Sequence, residues 1–171
     1  MKFITIFSAM FFLFLYTQVL PANEMGIPYQ KEPRANLTVG GQPTVEQLRA
    51  FSEAGYTTVI NLRRNGEFDE FVEEEEVANL GMEYIHIPIR NIDSITPANA
   101  NALHRAISQA SGAVLLHCTV GWRAGGLYAI ENYLLHDASE KEALDLAASA
   151  HMDHATGDVA DWIQANGKNT K

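Results

Sequence analysis

Short apolar runs, rich in β-branched residues, alternate along this chain with longer segments in which apolar residues recur at helical spacing. Each apolar run is bounded by glycine, proline or polar residues, a pattern typical of strands that are buried on both faces. The pattern predicts strands over residues 38–41, 57–62, 84–89 and 113–117.

The segments between these runs carry the start and stop signals of helices. Thr44 with Gln47, and Ser139 with Glu142, have capping-box spacing, and Thr96 precedes a proline at the first helical position. The predicted helices cover residues 44–54, 67–80, 97–110, 123–136, 140–150 and 156–165. Strands that alternate with helices predict an α/β fold with a mostly parallel central sheet of four to five strands, flanked by helices.

The first residues have the composition of a secretory signal peptide, predicted over residues 1–22. One lysine precedes an apolar stretch, and Ala22 is a small residue at a suitable cleavage point. The alternative is an uncleaved membrane anchor, but the stretch is short for a spanning helix. We therefore expect a secreted or periplasmic protein without stable membrane insertion after cleavage. The remaining chain is expected to form an extended lead-in (23–36), one domain (37–165) and a polar tail (166–171).

Charge and cysteine content narrow the function classes. The formal net charge is −9, which argues against a nucleic-acid partner and requires a local basic pocket for any anionic substrate. Cys118 is the single cysteine, so no internal disulfide is possible. Because an unpaired thiol is a liability in an oxidising compartment, its presence there favours a functional role. The sequence leaves the oligomeric state open.

Cys118 follows the predicted strand 113–117, and Arg123 opens the next predicted helix after a short loop that contains Gly121. Backbone N–H groups of such a loop and of a helix start point inward, and the helix dipole adds positive potential. This field favours the nucleophilic thiolate form of cysteine. Arg123 can bind two oxygens of a phosphate or sulfate. The pattern predicts an anion cradle with a thiol at its floor.

The segment 114–118, with Gly121 and Arg123, resembles the signature loop of the cysteine-dependent protein tyrosine phosphatases, above all the dual-specificity group. Residues 40–43, 55–63 and 84–89 occur in the order expected of a bacterial group of small phosphatase-like proteins. That group also occurs fused to β-lactamase-like hydrolase domains and is sometimes labelled a sulfur transferase. The resemblance implies a dual-specificity-phosphatase-like fold over the domain and a reaction that needs no cofactor.

The segment departs from the phosphatase pattern at two places. Only four residues separate Cys118 from Arg123, whereas phosphatases of this kind have five; four is the spacing of many rhodanese-type sulfurtransferase loops. The serine or threonine that usually follows the arginine, and helps the thiolate to leave, is Ala124 here. A phosphatase-like reaction would therefore have a slow second step.

The resemblance assigns a role to each residue of the loop. Cys118 is the expected nucleophile, and Arg123 is the expected electrostatic clamp, together with the N–H groups of the loop. The residues of the loop that would contact the phosphate are Thr119, Val120, Gly121 and Trp122. Trp122 could stack on an aromatic substrate or seal the loop against the core. His117 is expected to support the loop through hydrogen bonds, without transferring a proton.

The expected general acid is Asp93, because dual-specificity phosphatases place their acid in a corresponding loop. Its alternative role is to cap the helix that begins near Thr96. Glu67 and Asp69 are the next candidates.

Arg63 and Arg64 follow another strand, so one of them could guide an anion into the cradle; Arg63 is the candidate substrate-binding residue. The alternative is a surface pair bonded to Glu67 or Asp69. The run 73–76 of four glutamates is predicted to be a solvated helix face.

His151 and His154 have the spacing of a possible metal pair, but no third ligand is evident, and we predict no metal site.

Three functions remain open. The first is a phosphatase that hydrolyses phosphate monoesters of a phosphorylated protein, phosphotyrosine among them, or of a small molecule, through a cysteinyl-phosphate. The second is a sulfurtransferase that carries a persulfide on Cys118, favoured by the four-residue spacing but not by Thr119, where those loops have arginine. The third is a noncatalytic module that binds phosphorylated ligands.

Overall fold

A five-stranded sheet organises the computed structural model, which describes residues 26–149 and 153–167. The strands are β1 (Lys31–Arg34), β2 (Leu37–Gly40), β3 (Tyr56–Asn61), β4 (Glu83–His86) and β5 (Ala113–His117). The helices are α1 (Val45–Glu53), α2 (Glu73–Asn79), α3 (Pro97–Gln109), α4 (Trp122–Leu135), α5 (Glu140–Ser149) and α6 (Asp153–Asn166), with a short 3₁₀ helix at Ile92–Ser94. The predicted α/β fold with a mostly parallel sheet is confirmed.

The strand order in the sheet is β1-β2-β5-β3-β4. Only β1, paired with β2, is antiparallel; the other pairs are parallel. In the register, Gly40 and Asn61 each lie opposite His117, and His86 lies opposite Asn61. The carboxyl ends of four strands therefore meet at one edge of the sheet, where ligands bind in parallel α/β folds.

Apolar side chains pack on both faces of the sheet. One face is covered by α1 and α2 and the other by α3, α4, α5 and α6. Along β5, the Leu115 side chain packs on the face covered by α1 and α2, and the Leu116 side chain packs on the opposite face. The strand is therefore buried on both sides, as its continuous apolar run predicts.

The helix caps predicted from sequence are present. Thr44 and Gln47 form a reciprocal capping box at the start of α1. Thr96 and Asn99 form another at the start of α3, where Pro97 is the first helical residue. Ser139 bonds Glu142 in the same way. Each box satisfies backbone N–H groups of the first helical turn that have no partner within the helix.

Three elements differ from the predicted bounds. Helix α2 begins at Glu73 rather than near Glu67, because the Glu67 carboxylate turns back to the Arg64 N–H at 3.0 Å. Strand β4 ends at His86 because Pro88 has no N–H to continue the ladder. The predicted lead-in contains β1, which extends the sheet at its edge.

Several predictions concern segments outside the described residues. The signal peptide over residues 1–22, His151 and the end of the polar tail lie there. Among residues 26–149 and 153–167, no helix combines the length and the apolar character needed to span a bilayer.

Candidate active site

The cysteine loop connects the end of β5 to the start of α4. Cys118 is buried, and its Sγ accepts a hydrogen bond from the Gly121 N–H at 3.1 Å. Gly121 is the N-cap of α4 and has φ of 91°, a left-handed conformation that a side chain would disfavour. The thiol therefore lies at the N-terminus of a 14-residue helix, whose dipole stabilises negative charge.

The turn after β2 holds this loop in place. The Cys118 N–H donates to the Gly40 carbonyl at 3.3 Å, and the Gln42 N–H donates to the Thr119 carbonyl at 3.1 Å. A Cβ on Gly41 would lie 2.8 Å from the Thr119 carbonyl oxygen, closer than real Cβ contacts. Gly41 thus allows the turn after β2 to pack directly against the backbone of the cysteine loop.

Arg123 is held by four hydrogen bonds from its two terminal nitrogens. Nη1 donates to Glu67 Oε2 and to the Ile89 carbonyl, each at 2.9 Å. Nη2 donates to Glu67 Oε1 and, at 2.9 Å, to Thr119 Oγ1. Glu67 therefore occupies the end of the guanidinium fork. The opposite edge, formed by Nε and the second Nη2 hydrogen, faces the loop, where an anion can take the place of the Thr119 hydroxyl.

Electrostatic interactions link Arg123 to Glu67 and to Cys118. Burial acts to lower the pKa of Arg123, but the hydrogen bond to Glu67 and the attraction of Cys118 and Glu67 hold it above the usual value. The hydrogen bond from Arg123 holds the pKa of Glu67 well below its usual range. Glu67 is therefore ionised near neutral pH and has no proton to donate in this arrangement. As an acid candidate it is not supported; it is the counter-ion of Arg123.

A cavity of about 260 Å³ lies above the thiol. Its wall includes Val120 and Trp122, whose exposed fractions are 38% and 44%. The other lining residues are Arg64, Glu67, Arg90, Asn91, Ile92, Cys118, Arg123 and Asp158. Of the two roles open for Trp122, sealing the loop against the core does not fit its exposure; it forms part of the cavity rim.

Arg63 does not reach this cavity. Its guanidinium is buried and donates to Glu73 Oε2 at 3.1 Å, with its carbon 4.2 Å from the centre of the Phe68 ring. It lines a neighbouring cavity of about 650 Å³ instead. Of the two arginines that follow β3, it is Arg64 that lines the cavity above Cys118; its side chain is 58% exposed and pairs with Glu67.

The prediction of a solvated face for residues 73–76 is wrong at Glu73. Its side chain is 2% exposed and accepts hydrogen bonds from Asn61 at 2.6 Å, Gln42 at 2.9 Å and Arg63. His117 Nε2 lies 3.2 Å from Glu73 Oε1. Glu73 is the first residue of α2, so it faces the ends of β2, β3 and β5, where several buried donors need an acceptor.

His117 has the supporting position that the sequence predicts. It is fully buried, its Nδ1 is 3.4 Å from the Cys118 carbonyl, and its other nitrogen faces Glu73. Through this side chain, the buried carboxylate connects the end of β5 to the backbone of the cysteine loop. Its supporting role in the reaction stays a prediction.

Glu73→Gln should lower the free energy of unfolding by about 3 kcal/mol, because it leaves the buried Arg63 without a charged partner. Burial acts to raise the pKa of Glu73, but attraction and hydrogen bonding from His117 hold it below the usual value. A lowered pKa stabilises the fold above the unfolded-state pKa and loses that contribution as the pH falls. Urea unfolding should therefore show a smaller difference between variant and wild type in acid.

The neighbouring Glu74→Gln is the matched control, since Glu74 is exposed. It should change the free energy of unfolding by no more than about 0.5 kcal/mol. Equal effects of the two substitutions would contradict the buried-network interpretation.

The candidate acids occupy different positions. Asp93 is in the 3₁₀ helix, with an exposed carboxyl 3.5 Å from the Asn91 amide, and the residues just before it line the cavity. Asp158, on α6, lines the cavity directly. Asp158 was not predicted from the sequence, because nothing local connects residue 158 with the cysteine loop. Asp69 borders the cavity around Arg63 instead.

Comparison with known proteins gives one family. A family model described as DSP-PTPase phosphatase fused to NAD⁺ kinase matches residues 15–164. A β-lactamase hydrolase-like protein of Xylella fastidiosa (strain 9a5c) is 30% identical over an alignment of 132 residues, which covers 75% of this chain and 30% of that protein. The chain spans less than a third of the length of the curated relatives it matches.

Two solved structures share the fold. A DUF442 protein of Shewanella putrefaciens CN-32 has a TM-score of 0.62 at 22% identity, over 84% of this chain and 88% of that one. A Cys→Ser variant of P. aeruginosa TpbA in complex with pTyr has a TM-score of 0.60 at 15% identity, over 78% and 80% of the two chains.

Proposed function

We propose the following function for this chain, which belongs to the family of DSP-PTPase phosphatases fused to NAD⁺ kinase; the model of that family spans most of the chain. The proposed activity is hydrolysis of phosphate monoesters through a cysteinyl-phosphate on Cys118. The observation that carries it is the buried Cys118 sulfur beneath a cavity, with the Gly121 N–H and the Arg123 guanidinium beside it.

In the first step, the Cys118 thiolate attacks phosphorus. The S–P bond forms while the ester P–O bond breaks, and the electron pair leaves with the ester oxygen, which takes a proton from a carboxylic acid. The edge of Arg123 that faces the loop and the loop N–H groups bind the other phosphate oxygens and stabilise the charge that develops on them.

In the second step, water attacks the phosphorus of the intermediate. The S–P bond breaks, the thiolate is restored, and the carboxylate formed in the first step accepts the water proton. Ala124 supplies no hydroxyl to assist the leaving thiolate and is fully buried. We therefore expect this step to limit the rate.

Asp93 is the proposed proton donor. Arg90, Asn91 and Ile92 line the cavity, so the loop that carries Asp93 forms one wall of it. The carboxyl is exposed and is bonded only weakly, so it can turn toward a bound ester. Asp158 is the competing donor, because it already lines the cavity.

Asp93→Asn should slow hydrolysis of an ester with a poor leaving group, such as phenyl phosphate, by about 100-fold. It should change hydrolysis of para-nitrophenyl phosphate much less, because that leaving group departs without a proton. The kcat/KM of both substrates, measured under conditions that report the first step, checks this expectation.

Asp158→Asn is the matched control, since it removes the other carboxyl near the same cavity. It should affect the two substrates equally and weakly. If the leaving-group dependence appears in Asp158→Asn and not in Asp93→Asn, the donor is Asp158.

The entrance of the cavity above Cys118 suits a phosphate ester that carries an apolar or aromatic group. The exposed side chains of Val120 and Trp122 border the entrance, and Arg64 adds a positive charge. Together with the pTyr complex of the structural neighbour, this supports a phosphorylated protein or a small aromatic ester as substrate. Export to the periplasm or beyond is part of the proposal and depends on the predicted signal peptide.

Hydrolysis of para-nitrophenyl phosphate by the reduced protein is the direct test of the proposal. Turnover that depends on Cys118 supports a cysteine phosphatase. Binding of phosphate esters without turnover would favour the noncatalytic module instead.

A sulfurtransferase is the second candidate, favoured by the four residues between Cys118 and Arg123. The thiolate would take the outer sulfur of thiosulfate, forming a persulfide and releasing sulfite. Mass spectrometry after thiosulfate treatment would then show the added mass of one sulfur atom on Cys118. Persulfide formation without ester hydrolysis would replace the phosphatase proposal.

A further inference from the structure

A second cluster of reactive side chains lies on α3 and at the end of α4, away from the cysteine loop. His104 Nδ1 is 3.0 Å from Glu131 Oε1, and His136 Nε2 is 2.8 Å from the same oxygen. The three ligand atoms all lie within 4.8 Å of one another. We propose that these side chains bind a divalent transition-metal ion of the zinc class, which links α3 to the end of α4.

The convergence of two imidazoles on one buried oxygen points to an ion. Glu131 is 3% exposed, and its second oxygen accepts a hydrogen bond from the Asn132 amide at 3.0 Å. Two imidazoles and one carboxylate are a standard zinc donor set, and water completes the tetrahedron. Ligand atoms of a tetrahedral zinc site are about 3.4 Å apart, so each of the two observed nitrogen–oxygen distances needs to open by about half an ångström.

The surrounding residues favour the same interpretation. The Asn132 amide also donates to the Tyr128 carbonyl at 2.8 Å, so it fixes the carboxylate from behind, as outer-shell partners do in metal sites. Glu131 and His136 lie at the carboxyl end of α4, where the helix dipole stabilises positive charge.

The site is open to solvent on one side. Both imidazoles are partly exposed, at 42% for His104 and 44% for His136, and they border a cavity of about 360 Å³. The cavity gives an ion an entry path and leaves room for a bound water. Arg34 lines the same cavity and opposes a cation. Glu142 and Asp145, which border the adjoining cavity next to His136, offset that charge.

Titration with zinc alone, in the whole chain carrying Cys118→Ser, tests the proposal. That substitution removes the thiol, which would otherwise compete for the ion. Calorimetry should show one zinc per chain, and His104→Ala and His136→Ala should each weaken binding by at least about tenfold. At the same zinc concentration, zinc should raise the Tm of the parent protein more than that of the His104→Ala variant.

Two further variants make the result specific. Glu131→Gln keeps the shape of the side chain but removes the charge, and it should weaken zinc binding without loss of the fold. His151→Ala with His154→Ala is the matched control and should bind zinc as the parent does. Cobalt in place of zinc should give the intense visible absorption of a four-coordinate site, and the His104→Ala variant should lack it.

Absence of zinc binding by the parent protein would overturn the proposal. So would binding that persists unchanged in the His104→Ala and His136→Ala variants, or binding that is lost only when His151 and His154 are replaced. Because the site does not include the cysteine loop, each of these outcomes is independent of the phosphatase test.

Discussion

Replacing Cys118 by serine should lower hydrolysis of para-nitrophenyl phosphate by at least about 10⁴-fold, the scale seen when the nucleophile of a covalent mechanism is removed. The serine hydroxyl is not ionised at neutral pH, and the groups beside the sulfur, the Gly121 N–H and the Arg123 guanidinium, donate hydrogen bonds and cannot accept its proton. The steady-state rate of purified wild type and variant is the measurement.

The same substitution should leave ligand binding largely intact, because the loop N–H groups and Arg123 remain. Calorimetry with a phosphotyrosine peptide checks that the variant still binds. In the wild type, rapid quenching with denaturant in alkali should trap a phosphoryl group on Cys118, since Ala124 leaves the second step slow. Turnover in the variant within tenfold of wild type would exclude the cysteinyl-phosphate mechanism.

Arg123→Lys should lower kcat/KM for the same ester by about 10³-fold, or about 4 kcal/mol of transition-state stabilisation. The guanidinium holds Glu67 with the end of its fork and presents its other edge to the phosphate. A lysine ammonium is a single charged centre and cannot hold both in fixed positions. We expect both kcat and KM to change, because the arginine binds the ground state and the transition state.

Arg64→Lys is the matched control for this substitution. Arg64 borders the same cavity, but its side chain is mostly exposed and makes a surface ion pair with Glu67. Its replacement should cost no more than a few-fold in kcat/KM. Thermal unfolding of both variants separates a loss of the clamp from a loss of the fold. An effect of Arg123→Lys as small as that of Arg64→Lys would refute the clamp role.

The fold was predictable because its signals are local. The apolar runs of the parallel strands, the capping boxes at Thr44, Thr96 and Ser139, and the proline that opens α3 each act within a few residues. The same holds for the cysteine loop, in which Cys118, Gly121 and Arg123 lie within six consecutive positions. Local patterns of this kind can be interpreted without knowing how distant segments pack.

The partners of the loop were not predictable, because they come from distant segments. Glu73 is buried because α2 brings its first residue over three strand ends, and Arg63 is drawn to it and away from the cradle. Glu67 reaches Arg123 across 56 positions of the chain. A run of glutamates has the same appearance in the sequence whether one of them is buried or all are solvated.

The strand order also limits the sequence of events during folding. Among the described strands β5 comes last in the chain, yet it lies between β2 and β3 in the finished sheet. Before β5 joins the sheet, the other four strands can form only two separate pairs, β1 with β2 and β3 with β4. Closing the gap between them requires contacts between residues far apart in sequence, a slow step in folding. The cysteine loop and α4 are therefore brought up to Glu67 and Glu73, the partners of Arg123 and His117, in one late event, and a chain that stops before Ala113 has two sheet edges with nothing to join them.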